Sequence, residues 1–122
     1  MVLKVIDDSA ILASLPSSQN HLPINQPITH GCLEIPDICI NCYIFKANQS
    51  ITKGGWSFAL DTMLYGNWLD DYSLEILNAS YSIEGVDYEI IGELTELELQ
   101  KVISCFAFSS SVKRKYKRLL VS

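Results

Sequence analysis

The chain is predicted to be an α+β protein, one domain with an antiparallel sheet of about four to five strands and helices on one side. Three observations carry that prediction: a hairpin pattern over residues 72–92, a capped amphipathic helix over 96–108, and an apolar, β-rich run at 38–45. With a turn at Glu84-Gly85, Ile83 faces Val86, Tyr81 faces Tyr88 and Ala79 faces Ile90, all on one side of the ladder. Ser82 beside Asp87 and Ser80 beside Glu89 then occupy the other side. A slip of one residue mixes the two sets, so the pattern selects this register. Gly85 supplies the positive φ that short hairpin turns need.

Thr95 and Glu98 have the spacing of a capping box, in which hydroxyl and carboxylate each satisfy an orphan backbone N–H. Leu94 and Leu99 match it as a hydrophobic staple, and Leu99, Val102, Ile103 and Phe106 form an apolar stripe at helical spacing. The run ICINCYIF at 38–45 reads as a buried strand. Residues 2–6 read as a short strand, followed by a brief helix over 10–15 capped by Asp7, Asp8 or Ser9 and ended by Pro16. Pro16, Pro23, Pro27 and Pro36 mark 16–37 as a loop. Trp56, Phe58 and Leu60 alternate and predict a strand through about Thr62, while 63–71 is open between a turn and a short helix. Val112, Tyr116, Leu119 and Leu120 predict a basic terminal helix over 111–121, with a strand carrying Val112, Arg114, Tyr116 and Arg118 as its competitor.

A length of 122 residues fits a single core, and 48% hydrophobic residues excludes a disordered chain. No apolar run approaches the roughly 20 residues of a membrane span. Asp7 and Asp8 interrupt the N-terminus as a secretory signal, so the expectation is a cytoplasmic protein whose four cysteines are thiols. His30, Cys32, Cys39 and Cys42 invite a zinc reading, but a strand through 38–45 points Cys39 and Cys42 to opposite faces, which favours buried packing. Cys105 with His21 or His30 has the residue types of a nucleophile and base, without any supporting pattern. Asp70-Asp71 has the type of an acid–base or cation-binding pair, and reads more simply as solvated turn carboxylates. No phosphate-binding glycine loop, calcium loop or H-E-x-x-H motif occurs, so no cofactor and no catalytic residue are predicted.

The formal charge of −5 is unevenly placed, since residues 54–100 contain no Lys or Arg. That span holds Asp61, Asp70, Asp71, Glu75, Glu84, Asp87, Glu89, Glu93, Glu96 and Glu98, while Lys113, Arg114, Lys115, Lys117 and Arg118 cluster at the end. The basic cluster has the composition of a phosphate or acidic-membrane contact, but the acidic body repels polyanions, so neither nucleic acid nor membrane is the expected partner. Carboxylates with neighbouring aromatics suit a cationic protein surface, steering it electrostatically and holding it through desolvated rings. The residues assigned to that contact are Asp70, Asp71, Glu75, Asp87 and Glu89, with Trp68 and Tyr72 as anchors. In size, charge and composition the chain resembles the immunity proteins of bacterial toxin systems, above all those of contact-dependent growth inhibition. The resemblance implies a cognate toxin, commonly a nuclease, whose basic active-site cleft is covered by carboxylates in place of phosphates. A phage anti-defence protein has the same physical description. Two functions of a different class compete with it: a small ligand-binding or enzymatic domain using the Pro-rich loop, and a nucleic-acid or membrane adaptor using the basic tail. The binding reading expects the central carboxylates to gather in one exposed patch.

Overall fold

The computed structural model describes residues 1–13, 28–86 and 90–121. Strands Val2–Ile6 (β1), Ser9–Ala13 (β2), Gly31–Ile35 (β3), Ile40–Phe45 (β4), Thr62–Tyr65 (β5) and Leu69–Ser73 (β6) are followed by helices Leu74–Ser80 (α1), Glu96–Ala107 (α2) and Arg114–Val121 (α3). The class is α+β, as expected. The single sheet of the prediction is replaced, among the described residues, by two antiparallel sheets of three strands, ordered β1-β2-β6 and β3-β4-β5.

β1 falls where its sequence places it. Pairing of Ile6 with Ser9 leaves Asp7-Asp8 as a tight turn, with Asp7 at φ 52°, a conformation Asp tolerates. The segment expected to be helical from residue 10 is instead β2. So short a segment cannot nucleate a helix alone, and here it has a ladder partner on each side, β1 and β6.

β3 lies inside the stretch expected to be loop and pairs Cys32 with Tyr43 and Glu34 with Asn41. Most of the rest of that expected loop, Pro16, Pro23 and Pro27 included, falls outside the described residues. Pro36 opens a 3₁₀ turn that ends at Cys39, φ 53°, so β4 begins at Ile40 and not at Ile38. Trp56, Phe58 and Leu60 lie outside any strand. Phe58 instead packs on Trp56 and Phe45, with ring centroids 4.7 and 5.5 Å apart. The strand starts at Thr62, and a 3₁₀ turn over Gly66–Trp68 leads into β6.

The predicted hairpin over 72–92 is not formed on its first arm. Residues Leu74–Ser80 are helical, capped by the Ser73 hydroxyl, which accepts from the Ile76 N–H at 3.3 Å. Only Tyr72 and Ser73 are strand, and they pair with β2. The Glu84-Gly85 turn itself is present, with Gly85 at φ 87° and the Val86 N–H donating to the Ile83 carbonyl at 3.2 Å. On the second arm Asp87, Tyr88 and Glu89 fall outside the described residues, and Ile90 to Gly92 are not strand.

One core joins both sheets and the last two helices. Leu3 and Ile11 come from the first sheet, Tyr43, Phe45 and Leu64 from the second, Val102 and Phe106 from α2, and Tyr116 and Leu120 from α3. Cys42, Ile44 and Met63 form a smaller cluster on the opposite face of the second sheet. The basic segment is helical, and Val112, Tyr116 and Leu120 are buried as their spacing requires. Among the described residues no helix is long and apolar enough to cross a membrane.

Cys32 and Cys105 are joined in a disulfide, Cα–Cα 5.5 Å, which corrects the expectation of four thiols. Its partners are 73 residues apart, and closing a loop of that length disfavours the unfolded chain by roughly 4 kcal/mol in the chain-entropy picture. Only the docking of α2 on β3 brings them together.

Gly66 sits where the chain passes closest to the core. A Cβ there would lie 2.1 Å from Asn41 Oδ1, 2.8 Å from Val112 Cγ2 and 3.0 Å from Phe106 Cδ1. All three neighbours are buried and unable to retreat. Gly66→Ala is therefore expected to destabilise the protein by about 1–3 kcal/mol through overpacking, read as a lower denaturant midpoint. An unchanged midpoint would show that this crossing is looser than described.

Candidate functional site

Among the described residues the central carboxylates are not all left free on the surface. Asp61 pairs with Lys46 at 3.0 Å, Glu93 with Lys53 at 2.9 Å and Asp71 with Lys115 at 3.0 Å. These lysines come from before and after the cation-free span, so the segregation seen along the chain is partly undone in space. Glu98 is turned inward. Among the described residues Asp70, Glu75, Glu84 and Glu96 stay exposed.

The ion pairs set a pH dependence. Lys115, together with the Tyr116 hydroxyl, holds the Asp71 carboxyl below the usual carboxylate range. The Ala47 N–H and Lys46 do the same for Asp61. A carboxyl depressed on folding adds stability above its unfolded pKa, and that stability is lost as pH falls through the folded value. Acidification from about pH 5 to about pH 2 is thus expected to lower the denaturant midpoint, and Asp61→Asn to reduce that drop. An equal drop in both proteins would assign the acid sensitivity elsewhere.

Three of the seven residues assigned to a partner do converge. Alternation along β6 sends Asp70 and Tyr72 to the face where Leu12 of β2 lies, and Asp71 to the face covered by α3. At the open edge of β6 the Tyr116 hydroxyl reaches both, 3.2 Å from Asp71 Oδ1 and 3.3 Å from Asp70 Oδ1. Burial, then the contact with Asp71, pushes the Tyr116 hydroxyl up to about 12, so it stays a donor. On the other face Trp68, Asp70, Tyr72, Leu77 and Tyr81 line a groove of about 450 Å³. Trp68 is set by the 3₁₀ turn and leans on Tyr65, ring centroids 4.9 Å apart. Trp68, Tyr72 and Tyr81 are 48%, 42% and 54% exposed. Among the described residues no Lys or Arg lines the groove, and the Met1 amino group at its end donates to the Ala13 carbonyl at 3.1 Å.

Asp71 is therefore behind the groove, held by Lys115. Glu75 is exposed in the first turn of α1 but does not line it. Asp87 and Glu89 lie outside the described residues. Leu77 and Tyr81 belong to the groove, although the sequence reading does not assign them to it. Their spacing of four is the signal that could have found them, once 74–80 is read as helix.

The second polar cluster is buried at the start of α2. Thr95 caps as predicted, accepting from the Glu98 N–H at 3.2 Å. The reciprocal half of the capping box is not made, because the Thr95 N–H donates to the Ile51 carbonyl at 3.0 Å. The Glu98 carboxylate instead accepts from the Tyr43 hydroxyl at 2.9 Å and from His30 Nε2. The Lys46 N–H donates to His30 Nδ1 at 3.1 Å, which places the proton of the neutral ring on Nε2.

Both His30 nitrogens are thus engaged, Cys32 and Cys105 are bonded to each other, Cys39 is exposed and Cys42 is buried. His21, the second histidine considered as a base, lies outside the described residues. Among the described residues no group of three or more His, Cys, Asp or Glu side chains could hold a metal ion. Burial pushes the Cys42 thiol up to about 11 and, followed by Glu98, raises the Tyr43 hydroxyl further still. These are the environments of packing groups and not of activated nucleophiles. Glu98→Ala strands both donors, at about 1–3 kcal/mol each, whereas Thr95→Ala removes only a cap, about 1 kcal/mol. Chemical denaturation is expected to rank Glu98→Ala as the more damaging. The reverse order would mean that the cluster is wet and weak.

Comparison with protein-family models, with curated proteins and with solved structures finds no significant match. The groove and the buried cluster are therefore interpreted from their own chemistry.

Proposed function

We propose that this protein acts by binding another protein, covering a cationic patch on it with the groove of the first sheet, as an immunity protein covers its cognate toxin. The observation that supports the reading is the convergence of Trp68, Tyr72 and Tyr81 around Asp70, in a groove that no described Lys or Arg lines. Rings half out of water bury large area at little entropic cost and become the dominant contacts once a partner desolvates them. Asp70 would accept from an arginine or lysine seated between them, and Glu75 on the adjacent turn adds the same sign of charge. A toxin nuclease is the narrower form of this reading, since its substrate site must be basic. The acidic surface available for it is smaller than the sequence implies, because Asp71, Asp61 and Glu93 are already paired.

Purified protein titrated against basic bacterial toxin nuclease domains, with substrate cleavage as the signal, tests this. Trp68→Ala or Tyr72→Ala is expected to weaken inhibition by roughly 30-fold, the loss of one hot spot of about 2 kcal/mol. Asp70→Lys is expected to weaken it most at low salt. Inhibition indifferent to all three changes would remove the groove from the interface, and absence of inhibition would remove the toxin.

A further inference from the structure

A second groove, of about 480 Å³, runs along the seam between β3 and α2, bordered by Gly31, Cys32, Tyr43, Leu97, Lys101 and Cys105. The disulfide is part of its wall. Cys32 is exposed on β3, an edge strand, while Cys105 is only 6% exposed. One residue of the bond is thus open to solvent and the other is not. Lys101 stands one helical turn before Cys105 on the groove side, exposed. At the buried sulfur, Asn41 Nδ2 lies 3.5 Å from Cys105 Sγ. The opposing charge is Glu34 of β3, whose carboxylate accepts from that same Asn41 nitrogen at 2.8 Å.

We propose that the Cys32–Cys105 bond is a thiol-exchange site, open to small anionic thiols that enter along this groove. Exchange depends on which sulfur can be reached and on what stabilises the departing one, and the two cysteines here differ in exposure and in polar neighbours. The incoming thiolate attacks Cys32 Sγ, forming a new S–S bond to it. The Cys32–Cys105 bond breaks, and its electron pair goes to Cys105 Sγ, which leaves as a thiolate facing the Asn41 amide. A second thiolate attacks the sulfur contributed by the first small thiol, which releases the small disulfide and leaves Cys32 as thiolate. Lys101 favours a negatively charged thiol over a neutral one. Loss of the bond leaves α2 anchored by Glu98 to Tyr43 and His30, and by the burial of Val102 and Phe106, so the exchanged protein remains folded. This inference is independent of the binding reading.

The test uses the full chain carrying Cys39→Ser, which removes the exposed free thiol. Reduced glutathione in native buffer is expected to yield one adduct, mapped by mass spectrometry to Cys32, with Cys105 newly open to alkylation after acid quench and unfolding. Lys101→Glu is expected to slow exchange with glutathione at least several-fold and to leave exchange with neutral β-mercaptoethanol nearly unchanged. An adduct only after denaturation, an adduct on Cys105, or equal slowing of both thiols would each overturn the proposal. Circular dichroism of the adduct separates exchange in the folded protein from exchange through unfolding, and loss of the folded signal before the adduct forms would also overturn it.

Discussion

A carboxylate inside the molecule holds the architecture together. Glu98 is 9% exposed, and an ionised group so placed is costly unless donors surround it. Tyr43 reaches it from the second sheet and His30 from the segment leading into β3. The Lys46 N–H fixes the tautomer that lets His30 donate. The demand for those donors sets the position of α2 along the sheet, and the same placement carries Val102 and Phe106 into the core and Cys105 onto Cys32. Asn41 adds a further tie, donating to the Cys105 carbonyl at 3.2 Å. A helix located by a buried polar contact has one register, whereas apolar packing alone tolerates sliding.

The electrostatic surface follows from how the ends of the chain fold back. Lys46 and Lys53 precede the acidic residues they meet and Lys115 follows its own, yet each finds a carboxylate of the central span. Such exposed pairs add little stability, but they reduce the field available for steering a partner. The recognition proposed for the first groove would therefore lean on ring burial, with Asp70 providing orientation. Tyr116 ties the Asp70-Asp71 corner to α3.

The two grooves lie on different elements. One is built on β2, β6 and α1, the other on β3 and α2. α2 and α3 are packed on one another through the shared core, and the disulfide acts on the α2 side of it. The two grooves share no side chain, so the two proposals stand apart.

Local chemistry determines several elements by itself. β1, the Thr95 cap, the stripe of α2, the terminal helix and the Gly85 turn are all readable in the sequence, because each is stabilised by residues within a few positions of itself. The hairpin is not, because 74–80 satisfies an alternating pattern and a capped helix equally well, and the ladder partner of 69–73 is β2, near the start of the chain, with Asp70 opposite Leu12. β3 is hidden among prolines, and only its pairing with β4 across a turn makes it a strand. Of the groove residues, Trp68, Tyr72 and Asp70 stand out in the sequence by residue type and neighbourhood. The pairing of Asp71, the inward turn of Glu98 and the disulfide depend on chain segments meeting across long sequence distances, and proximity of that kind is a property of the folded core, which no local run of residues records.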